Sequence, residues 1–135
     1  MATLYPYDAN LVLHDGTQKT ASFTGSVASF DTGGQYRFPA VAVLQVTTLD
    51  FTTGDETYDI IIEGSNSSTF ASGNVQLGSI ALGLGSHLVA GRYTILFDND
   101  QGGTVYQYIR LRGVLGGTTP ILSMNAFMAT LEPLC

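Results

Sequence analysis

Apolar and polar residues alternate along most of this chain with a period of two, the period of a strand with one face buried. Ala40–Phe51 (AVAVLQVTTLDF) reads as a long, mostly apolar strand. Thr57–Glu63 sets Tyr58, Ile60 and Ile62 on one face against Asp59, Ile61 and Glu63 on the other. Arg92–Phe97 sets Tyr93, Ile95 and Phe97 against Arg92, Thr94 and Leu96. Val75–Leu82 is a further strand, residues 21–30 alternate weakly, and Leu11-Val12-Leu13 is a short candidate before His14-Asp15-Gly16.

The most informative stretch is 104–131. Val105, Ile109 and Leu111 share one face, while Tyr106, Tyr108, Arg110 and Arg112 share the other. With Gly116-Gly117-Thr118-Thr119-Pro120 as a hinge, this predicts a long β-hairpin or two adjacent antiparallel strands. Ile109 and Leu111, with Leu122, Met124 and Met128, are expected in the core. Tyr and guanidinium groups on the opposite face look like an interface strand, since both residue types are enriched at contacts.

No window sustains the i, i+3, i+4, i+7 pattern of an amphipathic helix. Turn residues punctuate the strands every 8–15 positions or so, giving about seven or eight strands and an all-β, jelly-roll-like antiparallel sandwich. The predicted organisation is an extended N-terminal arm over residues 1–20 and one sandwich domain over residues 21–135.

A length of 135 residues suits one domain with a proper core. Charged residues make up only 12%, so much of the surface is Ser, Thr, Gly, Asn and Gln, which suits a protein that rests against others. Net charge is −6 with five basic residues, Lys19, Arg37, Arg92, Arg110 and Arg112. That leaves no basic stripe for a phosphate backbone, so nucleic acid is not an expected partner. No apolar run approaches the ~20 residues of a membrane span. The start, MATLYPYDANLVLHDG, lacks a basic region followed by an apolar one, which predicts synthesis in the cytoplasm without a secretory signal. The single cysteine, Cys135, precludes an intrachain disulfide and reads as a terminal thiol.

Candidate chemistry is sparse. Asp98-Asn99-Asp100-Gln101-Gly102 resembles the start of a Ca²⁺ loop but lacks the distant bidentate Glu, and Asp, Asn and Gly are what a tight turn requires. His14 and His87 fall in expected loops without a nucleophile elbow and read as exposed. Asp55-Glu56 reads as a turn and Asp59/Glu63 as a solvated strand face. Asn66-Ser67-Ser68 fits a glycosylation acceptor but reads as a polar loop. The Gly-rich pieces are not followed by helices, so they cradle no phosphate. No catalytic residue, metal or cofactor is expected.

The arm, AVAVLQVTTLDF, YDIIIEGSNSSTF, GRYTILFDND and YIRLRGVLGGTTPILSMNAFMATL together resemble the small jelly-roll decoration, or cement, proteins of tailed-bacteriophage capsids. The resemblance spans residues 40–131 and rests on patterns of residue type. It implies a non-enzymatic homotrimer on the outer surface of the virion head, clamping neighbouring major capsid proteins of HK97-like fold. The arm would lie against the shell, and the implied contact residues are Leu4, Tyr5, Tyr7, Tyr106, Tyr108, Arg110 and Arg112. The alternative is a glycan- or host-surface-binding β-sandwich of a phage fibre or tail, using outward Tyr and loop Asp and Asn. An enzyme on a jelly-roll scaffold is the third reading.

Overall fold

Strand β3 (Pro39–Leu49) is buried on both faces along Ala40–Leu44, which is why its sequence is an almost unbroken apolar run. In the computed structural model, which describes residues 12–29, 39–82 and 90–130, β3 lies inside one four-stranded antiparallel sheet. Its partners are β10 (Leu122–Thr130) and β6 (Gly91–Asp98), and β1 (Val12–Asp15) adds to the far side of β10, giving the order β1-β10-β3-β6. The second sheet has the order β2-β9-β4-β5, from β2 (Phe23–Ser29), β9 (Tyr108–Gly116), β4 (Thr57–Ser65) and β5 (Val75–Leu82). A short ribbon, β7 (Asp100–Gln101) with β8 (Thr104–Val105), sits between β6 and β9. Successive strands mostly change sheet, and the two interleaved orders are those of an eight-stranded jelly roll. The expected all-β sandwich is thus the fold of the chain.

The core lies between the sheets. Ala40, Ala42, Leu44 and Val46 of β3 meet Tyr58, Ile60 and Ile62 of β4, with Ile95 and Phe97 of β6 closing one side. Ile109, Leu111, Leu122, Met124 and Met128 are all buried there, as their alternation predicts. Leu96, pointing the other way from Ile95 and Phe97, is 67% exposed. Val41, Val43, Phe127 and Ala129 form a second small cluster on the opposite face of the β3 sheet.

Three expectations change. The strands at 108–116 and 122–130 are adjacent in sequence but lie in different sheets, so residues 104–131 are not a hairpin. β9 is already flanked by β2 and β4, and β10 by β1 and β3, so neither has a free edge for the other. The Gly-Gly-Thr-Thr-Pro segment is therefore a crossover between layers. Second, Val12–Asp15 is a sandwich strand paired to β10, and Lys19 bridges Leu122 through both backbone hydrogen bonds. The segment 1–20 is thus not arm throughout, and residues 1–11 lie outside the described residues. Third, His14 is not an exposed loop residue: it is buried in β1, 4.8 Å from the ring of Phe23. His87 and Cys135 lie outside the described residues.

Two crossovers run side by side at one end of the sandwich, β3 to β4 through residues 50–56 and β9 to β10 through 117–121. Asp55 and Glu56, expected as a solvated turn, tie them down. Asp55 accepts the amide and hydroxyl of Thr118 at 2.9 and 2.8 Å. Glu56 is buried and accepts the amides of Thr53 and Gly54 at 3.1 and 2.9 Å, as well as the Thr53 hydroxyl. The buried Tyr58 hydroxyl donates to the Asp50 carbonyl at 2.6 Å and accepts the Ile121 amide at 3.0 Å, spanning both connections. Gly117 has φ +89°, and a Cβ there would sit 2.3 Å from the Asp55 carbonyl oxygen, so only glycine lets the crossovers touch.

Candidate functional site

The outer face of the β2-β9-β4-β5 sheet carries the residues singled out by alternation. Tyr108, Arg110 and Arg112 of β9 all lie on it, half-buried, opposite the core residues Ile109 and Leu111. Register places Glu63 of β4 directly across from Arg110, and Ile61 across from Arg112. Glu63 Oε2 accepts from Arg110 Nε at 2.8 Å, and Oε1 accepts from Arg112 Nε at 2.9 Å. One carboxylate thus orients two guanidinium groups.

This corrects the reading of Glu63 as part of a solvated face, whereas Asp59 is exposed as expected. Glu63 is only 7% exposed, because both arginines lie over it. Phe70 adds a lid: the Arg110 guanidinium stacks 4.3 Å from its ring centre. Phe70 reaches this position from a backbone at φ +56° in the loop after β4. The Arg110 and Arg112 side chains are 19% and 40% exposed, so Arg112 presents the more accessible edge. With two positive groups for one negative, the cluster keeps a local excess of one positive charge on a chain of net charge −6. Beside it Val27 of β2, in register with Arg110, is 43% exposed. The arrangement can dock a surface that offers carboxylates and apolar side chains. It holds no nucleophile paired to a base.

Tyr106 is not on β9. It precedes the strand, donates its amide to the Asn99 carbonyl at 2.7 Å, and packs above Gly64, where a Cβ would fall 3.1 Å from its own. Asn99 is buried and returns a side-chain bond to the Tyr106 carbonyl at 3.2 Å, while Asp98 Oδ1 accepts the Asp100 amide at 3.2 Å. Within the Asp98–Gly102 segment, Asp98 ends β6 and Asp100–Gln101 pair as β7, so the tight turn itself falls at Gly102-Gly103. Asn66 takes part in the same end of the molecule, donating to the Val105 carbonyl and accepting the Gln107 amide at 3.2 and 3.1 Å. Among the described residues no three His, Cys, Asp or Glu side chains gather as metal ligands, and no helix is long and apolar enough to cross a membrane. Leu4, Tyr5 and Tyr7 lie outside the described residues.

No protein-family model and no curated protein matches the chain. Among solved structures, it is similar to the CBM22-1 and GH10 modules of the Clostridium thermocellum N-terminal endo-1,4-beta-D-xylanase 10B complexed with xylohexaose. That alignment has 12% identity and a TM-score of 0.39, and covers 78% of this chain and 19% of the other. A likeness of that extent transfers neither fold nor activity, and the jelly roll rests on the strand order itself.

Glu63 is the residue that local reading of the sequence misplaced. The signal available was charge pairing: two arginines at i and i+2 on one strand face need an acid on a neighbouring strand.

Proposed function

We propose that the chain is a capsid decoration, or cement, protein of a tailed bacteriophage. In this reading it is a homotrimer without enzymatic activity that binds the outer surface of the head and clamps adjacent major capsid proteins of HK97-like fold. The reading draws on the resemblance of residues 40–131 to that class. The observation that carries it is the Arg110–Glu63–Arg112 cluster beside exposed Val27: a pre-oriented, locally positive and partly apolar patch on the outer face of a sheet. Such a patch fits an acidic protein surface. Three copies around one axis multiply a modest affinity per site. Leu4, Tyr5 and Tyr7 would add contacts from the segment before β1.

Native mass spectrometry of the protein, alone and with purified expanded heads, tests the proposal. A trimer in solution, stoichiometric occupancy of heads and greater resistance of the heads to heat or chaotrope are expected. Val27→Asp and Arg112→Glu should weaken head binding while leaving the fold intact by circular dichroism. A monomer that leaves capsid stability unchanged overturns it.

A further inference from the structure

Each sheet of an open sandwich ends in two strands with a free side, and such edges attract other strands unless something blunts them. Three of the four edges here are blunted. β1 is four residues long, shifts register between Val12 and His14, and carries Asp15. β2 shifts register between Thr24 and Val27, and there the Leu13 carbonyl oxygen comes within 2.0 Å of where a Gly25 Cβ would stand. β6 has Arg92 near one end and Asp98 at the other.

β5 is the exception. Its eight residues, VQLGSIAL, include no charge and no proline. Its register with β4 shifts once, beside Gln76, and runs regularly from Gly78 to Leu82. Among the described residues its backbone hydrogen-bonds to β4 alone. Alternate residues of a strand turn their N–H and C=O groups to opposite sides, so those on the far side of β5 face out unpaired.

The side chains repeat the message. β6 of the other sheet approaches at Gly78, where a Cβ would meet Ile95 Cγ2 at 2.8 Å. Beyond that point Ser79 is exposed, and Ile80 and Ala81 are half-buried. Ile80 packs against the core from one side, but no strand lies beyond it to complete its cover.

We infer that β5 pairs with β5 of a second copy of this chain, antiparallel about a two-fold axis through Ile80. That register sets Ile80 against Ile80, Ser79 against Ala81, and Gly78 against Leu82 of the second copy. The two isoleucines complete each other's cover, small side chains meet on the outer face, and Leu82 meets a position without a side chain. A free strand edge selects another strand, because backbone matches its spacing of donors and acceptors. Charge favours this meeting place. Copies of net charge −6 repel, and β5 adds nothing to that repulsion. Asp59, in register with Ala81, lies one strand in, so the two copies' carboxylates would stand about 14 Å apart or more, beyond the screening length of about 8 Å. The pairing draws neither on the Arg110–Glu63–Arg112 patch nor on the trimer: it joins basic units of any size, and neighbouring trimers if the unit is a trimer.

Sedimentation equilibrium from about 10 μM to about 1 mM, the range for so small a contact, gives the test. Mass should rise with concentration above that of the basic unit, and ¹⁵N NMR dilution shifts should centre on residues 78–82. Ser79→Glu, at an exposed position of β5, should weaken association about tenfold or more without lowering Tm. Thr94→Glu adds the same charge at an exposed position of β6 and should leave association as it is. In a Cys135→Ser background, Ile80→Cys should form a disulfide-linked pair of chains. A mass independent of concentration, equal effects of the two glutamates, or dilution shifts away from β5 would each overturn the pairing.

Discussion

Asp55 accepts both the amide and the hydroxyl of Thr118, 63 residues away, and so joins the two connections that carry the chain between its sheets. The bonds from Thr118 and Thr53 lower the Asp55 pKa, and the Thr53 hydroxyl does the same for Glu56. Both groups are thus more acidic folded than unfolded. Their contribution is complete above the unfolded carboxylate pKa, about 4, and is lost as pH falls through the lower folded values. Urea midpoints should hold steady from neutrality to about pH 5 and then drop. Asp55→Asn should lower the neutral midpoint and flatten that acid limb. Equal acid slopes in the two proteins would count against the clip.

Gly117→Ala should destabilise by about 2 kcal/mol or more, combining left-handed backbone strain with collision against the Asp55 carbonyl. Gly54 provides the contrast. It also has positive φ, at +81°, but a Cβ there meets nothing within 4 Å. Gly54→Ala should cost no more than about 1 kcal/mol. Chemical denaturation of both variants checks the ordering, and equal losses would remove the close-approach argument.

Glu63→Ala leaves two guanidinium groups without their carboxylate, including the Arg110 group that stacks on Phe70. A loss of about 2 kcal/mol is expected, in the range for hydrogen bonds to charged groups. Arg112→Ala, at the more exposed end, should cost less than about 1 kcal/mol. The reverse order in equilibrium unfolding would mean that Arg112, not Glu63, organises the cluster.

Tyr58→Phe keeps the ring, which packs edge-on against Phe51 at 5.4 Å, and removes only the hydroxyl. The Ile121 amide and Asp50 carbonyl then lose a partner, at a cost of about 1–2 kcal/mol. Hydrogen exchange at Ile121 should accelerate relative to the strands on either side. Unchanged protection there would show that the hydroxyl does not hold the crossover.

Which face a strand residue takes is legible in the local sequence. Tyr58, Ile60 and Ile62 point inward because they alternate, and the same holds for Ile95, Phe97, Ile109 and Leu111. Period-two patterning reports which face a residue takes but not which strand lies beside it. Turn residues at 116–120 therefore suggested a hairpin, although β9 and β10 each have other partners on both sides. His14 was misread for a related reason: its acceptor, the Met124 carbonyl, is 110 residues distant. Across the β3 sheet, Asp15, Asn125, Gln45 and Arg92 stand in register although they come from four strands widely spaced along the chain, a juxtaposition that local patterning cannot report.

β1 runs into the sandwich towards the crossover end, while its partner β10 runs out of it, with Val12 beside Phe127. Val12 and Thr130 thus lie at the same end of the molecule, opposite residues 50–56 and 117–121. A linker could join those two points, and new termini could be opened in the exposed 71–74 loop between β4 and β5 without cutting either crossover. The fold lends itself to circular permutation, and to carrying a fused cargo away from the clipped end.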